Sequence, residues 1–150
     1  MQATPYITGP ILLRLHRART GATALELVCV LPVLIGIVLG AADLGRFAHF
    51  ENVISNVARV GAEYGATHRR MSRNASTWEE KLLGAATEEA ENLPHFDADD
   101  LDIEVETTDE ADGRLRVSVT VTYPFETVVD WPGIPADFDL SSTIVYVEYR

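Results

Sequence analysis

One cysteine stands among the 150 residues, so no disulfide within the chain can hold its fold. Cys29 lies inside an apolar run behind Glu26, Leu27 and Val28, without the small preceding residue that lipoprotein acylation needs. It reads as a packed or lipid-facing thiol. Positive charge is scarce too: 12 Lys and Arg stand against 23 Asp and Glu, for a net charge of −11. Such a chain repels phosphate backbones, which excludes nucleic acid as a partner. Catalytic signatures are missing: there is no G-x-S-x-G, H-E-x-x-H, C-x-x-C, P-loop or dinucleotide fingerprint. His16, His49, His68 and His95 are scattered without metal-ligand spacing. These absences point away from an enzyme, and no cofactor is expected.

What the chain has instead is one long apolar run. Every residue from Leu27 to Ala42 is apolar, glycine or proline, and between Ala22 and Ala42 the only charge is Glu26. As a helix this stretch reaches about 30 Å, the hydrocarbon thickness of a bilayer. Arg14, Arg17 and Arg19 precede it with no acid among them, and all 23 acidic side chains follow them. The positive-inside rule then keeps the N-terminus in the cytoplasm and exports the C-terminal part, as a single-pass protein of the inner membrane. A carboxylate near the end of a membrane helix costs about 2 kcal/mol, so Glu26 asks for a partner.

The helix is expected to continue past the membrane. Leu44, Phe47, Phe50, Ile54, Val57, Gly61 and Tyr64 recur at spacings of three and four, an amphipathic stripe running to Ala66. A helix from Ala22 to Ala66 would be about 65–70 Å long, too long for one small globule to cover. Gly36 with Gly40, and Gly61 with Gly65, form small-xxx-small pairs that allow helices to approach closely. Pro32 removes one helical hydrogen bond and should loosen the span locally.

Residues 67–75 read as a polar linker, and residues 76–150 as an exported α+β head. A second, short helix is expected from Ser76, with Ser76 and Glu79 as a capping box. Trp78, Leu82, Ala85, Ala86 and Leu93 supply its apolar face and Pro94 closes it. Leu101, Ile103 and Val105 alternate with acids, and Leu115, Val117, Val119, Val121 and Tyr123 with polar residues. These make a hairpin turning over Asp109 to Gly113, with Glu106 opposite Arg114 and Glu104 opposite Arg116. After a Pro-rich loop holding Trp131 and Phe138, a last strand runs through Val145, Val147 and Tyr149. The expected fold class is α+β: a long N-terminal transmembrane and amphipathic helix, a second short helix and a small three-stranded antiparallel sheet.

One acidic cluster stands out, Asp97, Asp99, Asp100 and Asp102. It lacks the glycine and terminal glutamate of a calcium-binding EF-hand loop, and reads as a solvated acidic face before it reads as a calcium site. Asn74-Ala75-Ser76 matches a glycosylation sequon.

The stretch from Arg19 to Ala66 resembles the TadE/TadF family of pseudopilins of the Tad/Flp type IV pilus system. The likeness rests on Gly21 with Glu26 five residues on, Pro32 within the span, the exit Asp43-Leu44-Gly45-Arg46, and Asn56-Val57-Ala58-Arg59-Val60-Gly61-Ala62-Glu63-Tyr64. Leu27 stands where such proteins usually carry an aromatic residue. The resemblance implies a basic leader of residues 1–21, removed by a prepilin peptidase between Gly21 and Ala22. The new α-amine of Ala22 would then be neutralised by Glu26 of the same chain or of a neighbour, favouring correct axial stacking of subunits. It implies a pilin-like fold and a role as a minor pilin or pseudopilin. The partners would be the membrane, the peptidase, other pilin subunits and the assembly machinery, and the outcome adhesion, biofilm formation or secretion. A competing route is general signal-peptidase cleavage after Ala42, at Gly40-Ala41-Ala42, which would release a secreted binding module. A membrane-tethered binding module and a type II secretion pseudopilin are the further alternatives.

Overall fold

The structure is a computed structural model that describes residues 16–148, with side chains from Ala24 onward. The leader expected over 1–21 lies outside the described residues up to Leu15, as does Tyr149. The order of elements is α1 (His16–Thr67), α2 (Ala75–Ala90), a 3-10 turn (Ala98–Asp100), β1 (Asp102–Asp109), β2 (Leu115–Glu126) and β3 (Asp137–Val147). This is the expected α+β class: a long N-terminal helix, a short second helix and a three-stranded antiparallel sheet ordered β1-β2-β3. The chain divides into two compact units between Ala41 and Ala42.

In the first unit α1 passes through Pro32 without interruption. The side chains from Ala24 to Ala41 are exposed, save the half-buried Gly36, Leu39 and Gly40. Leu25 and Val38 are each 67% exposed, an apolar surface with no protein to cover it. This is the one helix among the described residues long and apolar enough to cross a membrane.

In the second unit the rest of α1 lies with α2 on one face of the sheet. Phe50, Val53, Ile54, Val57, Ala58, Ala62 and Ala66 of α1 are buried with Trp78, Leu82, Ala86 and Ala90 of α2. Leu93 is buried just beyond α2. The expected stripe holds from Phe47 to Tyr64, but Leu44 is 67% exposed, and the buried position at that end of the face is Asp43. The central strand supplies Val117, Val119, Val121, Tyr123 and Phe125 from its inward face, and β3 supplies Leu140. Much of the outward face of the sheet is polar, with Thr120 bonded to Thr143 and Thr122 to Ser141 across β2 and β3.

The packing is graded along α1. At its C-terminal end small residues meet β-branched ones: a Cβ added at Gly61 would stand 3.3 Å from Val119 Cγ1, and one at Gly65 only 2.8 Å from Val117 Cγ1. Toward Asp43 the contacts turn aromatic. Phe50 and Phe47 pack edge-on to Phe125, with centroids 5.3 and 5.9 Å away, and Phe138 stands 5.5 Å from Phe125.

The local chemistry corrects several expectations. Ser76 and Glu79 form no capping box, because the helix starts one residue earlier and Asn74 holds the N-cap position. The Asn74 side chain closes the preceding turn instead, accepting from the Met71 N–H at 2.6 Å and donating to the Arg69 carbonyl at 3.2 Å. The hairpin register also differs: Glu106 faces Ser118, Glu104 faces Thr120 and Arg116 faces Thr108. The arginines find their carboxylates at the turn, Arg114 with Asp112 at 2.6 Å and Arg116 with Glu110. The turn closes through the Glu110 N–H to the Arg114 carbonyl, with Gly113 at φ 75°. The displacement along β2 is four residues, an even number, so the same side chains still face inward.

The third strand begins earlier than expected and takes Phe138 out of the loop. Its inward positions include Leu140 and Tyr146, opposite Tyr123 and Val117, while Val145 points outward and is 45% exposed. Pro124 is tolerated inside β2 because β1 pairs only as far as Thr122, and the strand has become an edge there.

Candidate functional site

Three features carried functional expectations: the segment around Gly21, the glycine pairs and the acidic cluster. Gly21 and Ala22 fall within the helical backbone of α1, and their side chains lie outside the described residues. Glu26 is exposed, and it forms no ion pair with any described residue. Cys29 is exposed on the apolar surface of the same unit and is not packed in the protein core.

The glycine pairs separate. A Cβ at Gly36 would meet nothing within 4 Å. Gly61 and Gly65 are buried against Leu82, Ala86 and Trp78 of the second helix and Val117 and Val119 of the sheet. Their close approach is used inside this chain, which leaves Gly36 as the glycine of the other pair with an open face.

The acidic cluster does not converge. Asp97 accepts from the Asp99 N–H at 3.0 Å and so caps the 3-10 turn, while its own N–H donates to the Tyr123 hydroxyl at 3.1 Å. Among the described residues no group of three or more His, Cys, Asp or Glu side chains could hold a metal ion.

The residue that the structure does single out is Asp43. It is the first charged position after the apolar run, and among the described residues it is the one buried charged side chain, 6% exposed. Its Oδ1 accepts from the Val128 N–H at 2.9 Å, and its Oδ2 accepts from Trp131 Nε1 at 2.9 Å. Arg46, one helical turn along, donates to the same carboxylate at 3.3 Å and to the Glu126 carbonyl at 3.2 Å. The Arg46 guanidinium also lies 5.3 Å over the Phe125 ring. The Val128 N–H, followed by the Trp131 indole, holds the carboxyl of Asp43 below its ordinary value of 3.8, and the nearby Arg46 charge adds to this.

The loop so tied spans residues 127–136. Its neck closes through the Thr127 N–H to the Ala136 carbonyl at 2.9 Å, and its tip through the Ile134 N–H to the Trp131 carbonyl at 3.1 Å. Sequence reasoning placed Asp43 and Arg46 in the exit motif but gave neither a task. An acid on the buried face of an amphipathic stripe was the available signal, and the tryptophan that answers it lies 88 residues away.

One helix long and apolar enough to cross a membrane, together with an α+β unit, defines the class by build: the pattern fits a single-pass membrane protein. Residues 21–63 match the family model described as TadE-like protein, so this stretch of the chain is similar to that family. The match begins at Gly21, takes in Glu26, Asp43 and Arg46, and ends one residue before Tyr64. No curated protein and no solved structure matches the chain.

Proposed function

We propose that this protein is a minor pilin or pseudopilin of a Tad/Flp-type pilus, structural in its role and without catalytic activity. The observation that carries the reading is Glu26. It is an exposed carboxylate in a surface otherwise made for lipid, five residues after Gly21 in the stretch that is TadE-like. On insertion scales an acid in mid-membrane costs about 2.5–3.5 kcal/mol, less near the helix end. Cleavage between Gly21 and Ala22 would create a positive α-amine one helical turn away and remove that cost.

In this reading residues 1–21 are the leader, 22–42 the span and 43–66 its helical extension into the head. The basic leader stays cytoplasmic and the acidic head is exported. A prepilin peptidase makes the cut, and pilin subunits with the assembly machinery take up the product for adhesion, biofilm formation or secretion. Gly36 and Gly40, with the open face at Gly36, are positioned for contact with neighbouring helices.

The test is the mature N-terminus, sequenced from membranes with and without the peptidase. Ala22 is expected when the peptidase is present and the uncut chain when it is absent. A start at Asp43 would replace this reading with a secreted binding module, and an uncut chain in both strains would replace it with a tethered one. Glu26→Ala should still be cut and should fail to assemble.

A further inference from the structure

We propose that the loop of residues 127–136 is a membrane-interface anchor, which seats Val128, Trp131 and Ile134 in the headgroup layer where α1 leaves the bilayer. The inference rests on residues 22–42 spanning a membrane, and it assigns a second contact with the same lipid.

The argument begins with position. Asp43 follows Ala42, the last residue of the apolar run, and one residue adds only about 1.5 Å along a helix. The headgroup region is several Å thick on each side of the hydrocarbon, so Asp43 and whatever is bonded to it stand within that layer. Asp43 is bonded to the loop at two points, the Val128 N–H and Trp131 Nε1, and Arg46 holds the neck through the Glu126 carbonyl. The loop is therefore fixed at the level of the membrane exit.

Its composition suits that level. Val128 is 64% and Ile134 55% exposed, large apolar side chains on a loop whose length offered every chance of polar residues. Leu44, beside Asp43 on α1, is 67% exposed as well. Trp131 is half-buried, its N–H given to Asp43, which leaves an amphipathic ring of the kind enriched at membrane–water boundaries. Thr127 Oγ1 bonds inside the loop to the Val129 and Ala136 carbonyls, and Pro132 and Pro135 carry no N–H to desolvate. Asp130 is the only charge from Val128 to Ala136, and Glu126 and Asp137 flank the loop. That acidity gives no attraction to anionic lipid, so the contact is with the apolar side of the interface and not with lipid charge.

The test uses the full chain with Cys29→Ser, reconstituted at low density in phosphatidylcholine vesicles. Single nitroxide labels are placed at Val128→Cys or Ile134→Cys. Leu34→Cys serves as the reference for lipid and Glu104→Cys, on the exposed face of β1, as the reference for water. Accessibility to oxygen relative to a water-soluble nickel complex reads depth. The ratio at 128 and 134 is expected to be severalfold above that at 104 and below that at 34. A water-like ratio at 128 and 134 with a lipid-like ratio at 34 overturns the anchor and leaves the span intact. A water-like ratio at 34 overturns both. Labels at 128 and 134 that are shielded from both reagents and broadened by spin–spin contact would show a second copy on the patch, and would also overturn the anchor.

Discussion

Residues 24–42 and 47–66 belong to one continuous helix, yet their surroundings differ. The first stretch presents its leucines and valines outward on all sides, and the second buries one stripe and leaves Glu51, Arg59 and Glu63 exposed. Backbone geometry and helix propensity do not separate them. The same small-xxx-small spacing even appears in both, as Gly36/Gly40 and Gly61/Gly65. What differs is the neighbour: nothing within 4 Å of a Cβ at Gly36, and a strand and a helix against Gly65. A spacing that permits close approach does not say what will approach.

That contrast can be broken most forcefully at Leu82, which is fully buried where α2 meets Gly61 and Gly65. Leu82→Ala should cost the head about 2–5 kcal/mol in chemical denaturation of the detergent-solubilised chain. Leu34→Ala, an equal truncation on the exposed apolar stretch, should leave the same transition unmoved.

Gly65→Ala is next. The new methyl would stand 2.8 Å from Val117 Cγ1 and 3.2 Å from Leu82 Cδ1, and Val117 is a stiff β-branched side chain on the central strand. Overpacking of about 1–3 kcal/mol outweighs the roughly 1 kcal/mol that alanine gains over glycine in a helix. The unfolding midpoint should therefore fall, whereas Gly36→Ala should not change it.

Asp43→Asn tests the tether where the two stretches meet. An amide keeps one oxygen for Val128 or Trp131 but not for both, so amides of residues 127–136 should lose hydrogen-exchange protection while those of β2 keep theirs. The pH dependence has a definite sign. The folded carboxyl titrates below 3.8, so its contribution is complete above that value and is lost as pH falls through the lower folded value. Acid should release Trp131, read by its fluorescence, and the asparagine variant should lack this acid limb. Smallest of all is Arg116→Ala, which removes an exposed pair with Glu110 and should shift stability by less than about 1 kcal/mol.

Much of this was legible in the residues. The stripe from Phe47 to Tyr64 and the alternation in β1 and β2 are periodic signals, and periodicity reports burial directly, while the apolar run is legible from its length and composition. Matching opposite charges across the strands misplaces the hairpin register, because Arg114 and Arg116 satisfy themselves at the turn over distances of two and six residues. Ser76 and Glu79 fit the capping-box pattern, which draws the reading away from Asn74 at the N-cap position. A local motif cannot show that the Asn74 side chain is already engaged in the turn before the helix. The Asp43–Trp131 bond joins positions no pattern connects, and only the tertiary fold brings an indole to that carboxylate.

In the proposed function one helix is held by two independent supports, lipid up to Ala42 and protein core beyond it. Hydrogen exchange of the full chain in lipid nanodiscs, followed across a urea titration, tests it most directly. The amides of residues 50–66 should lose protection together with the sheet in one cooperative transition, while those of residues 27–42 remain protected at urea concentrations that unfold the head. Loss of protection in both stretches at the same urea concentration would contradict the account.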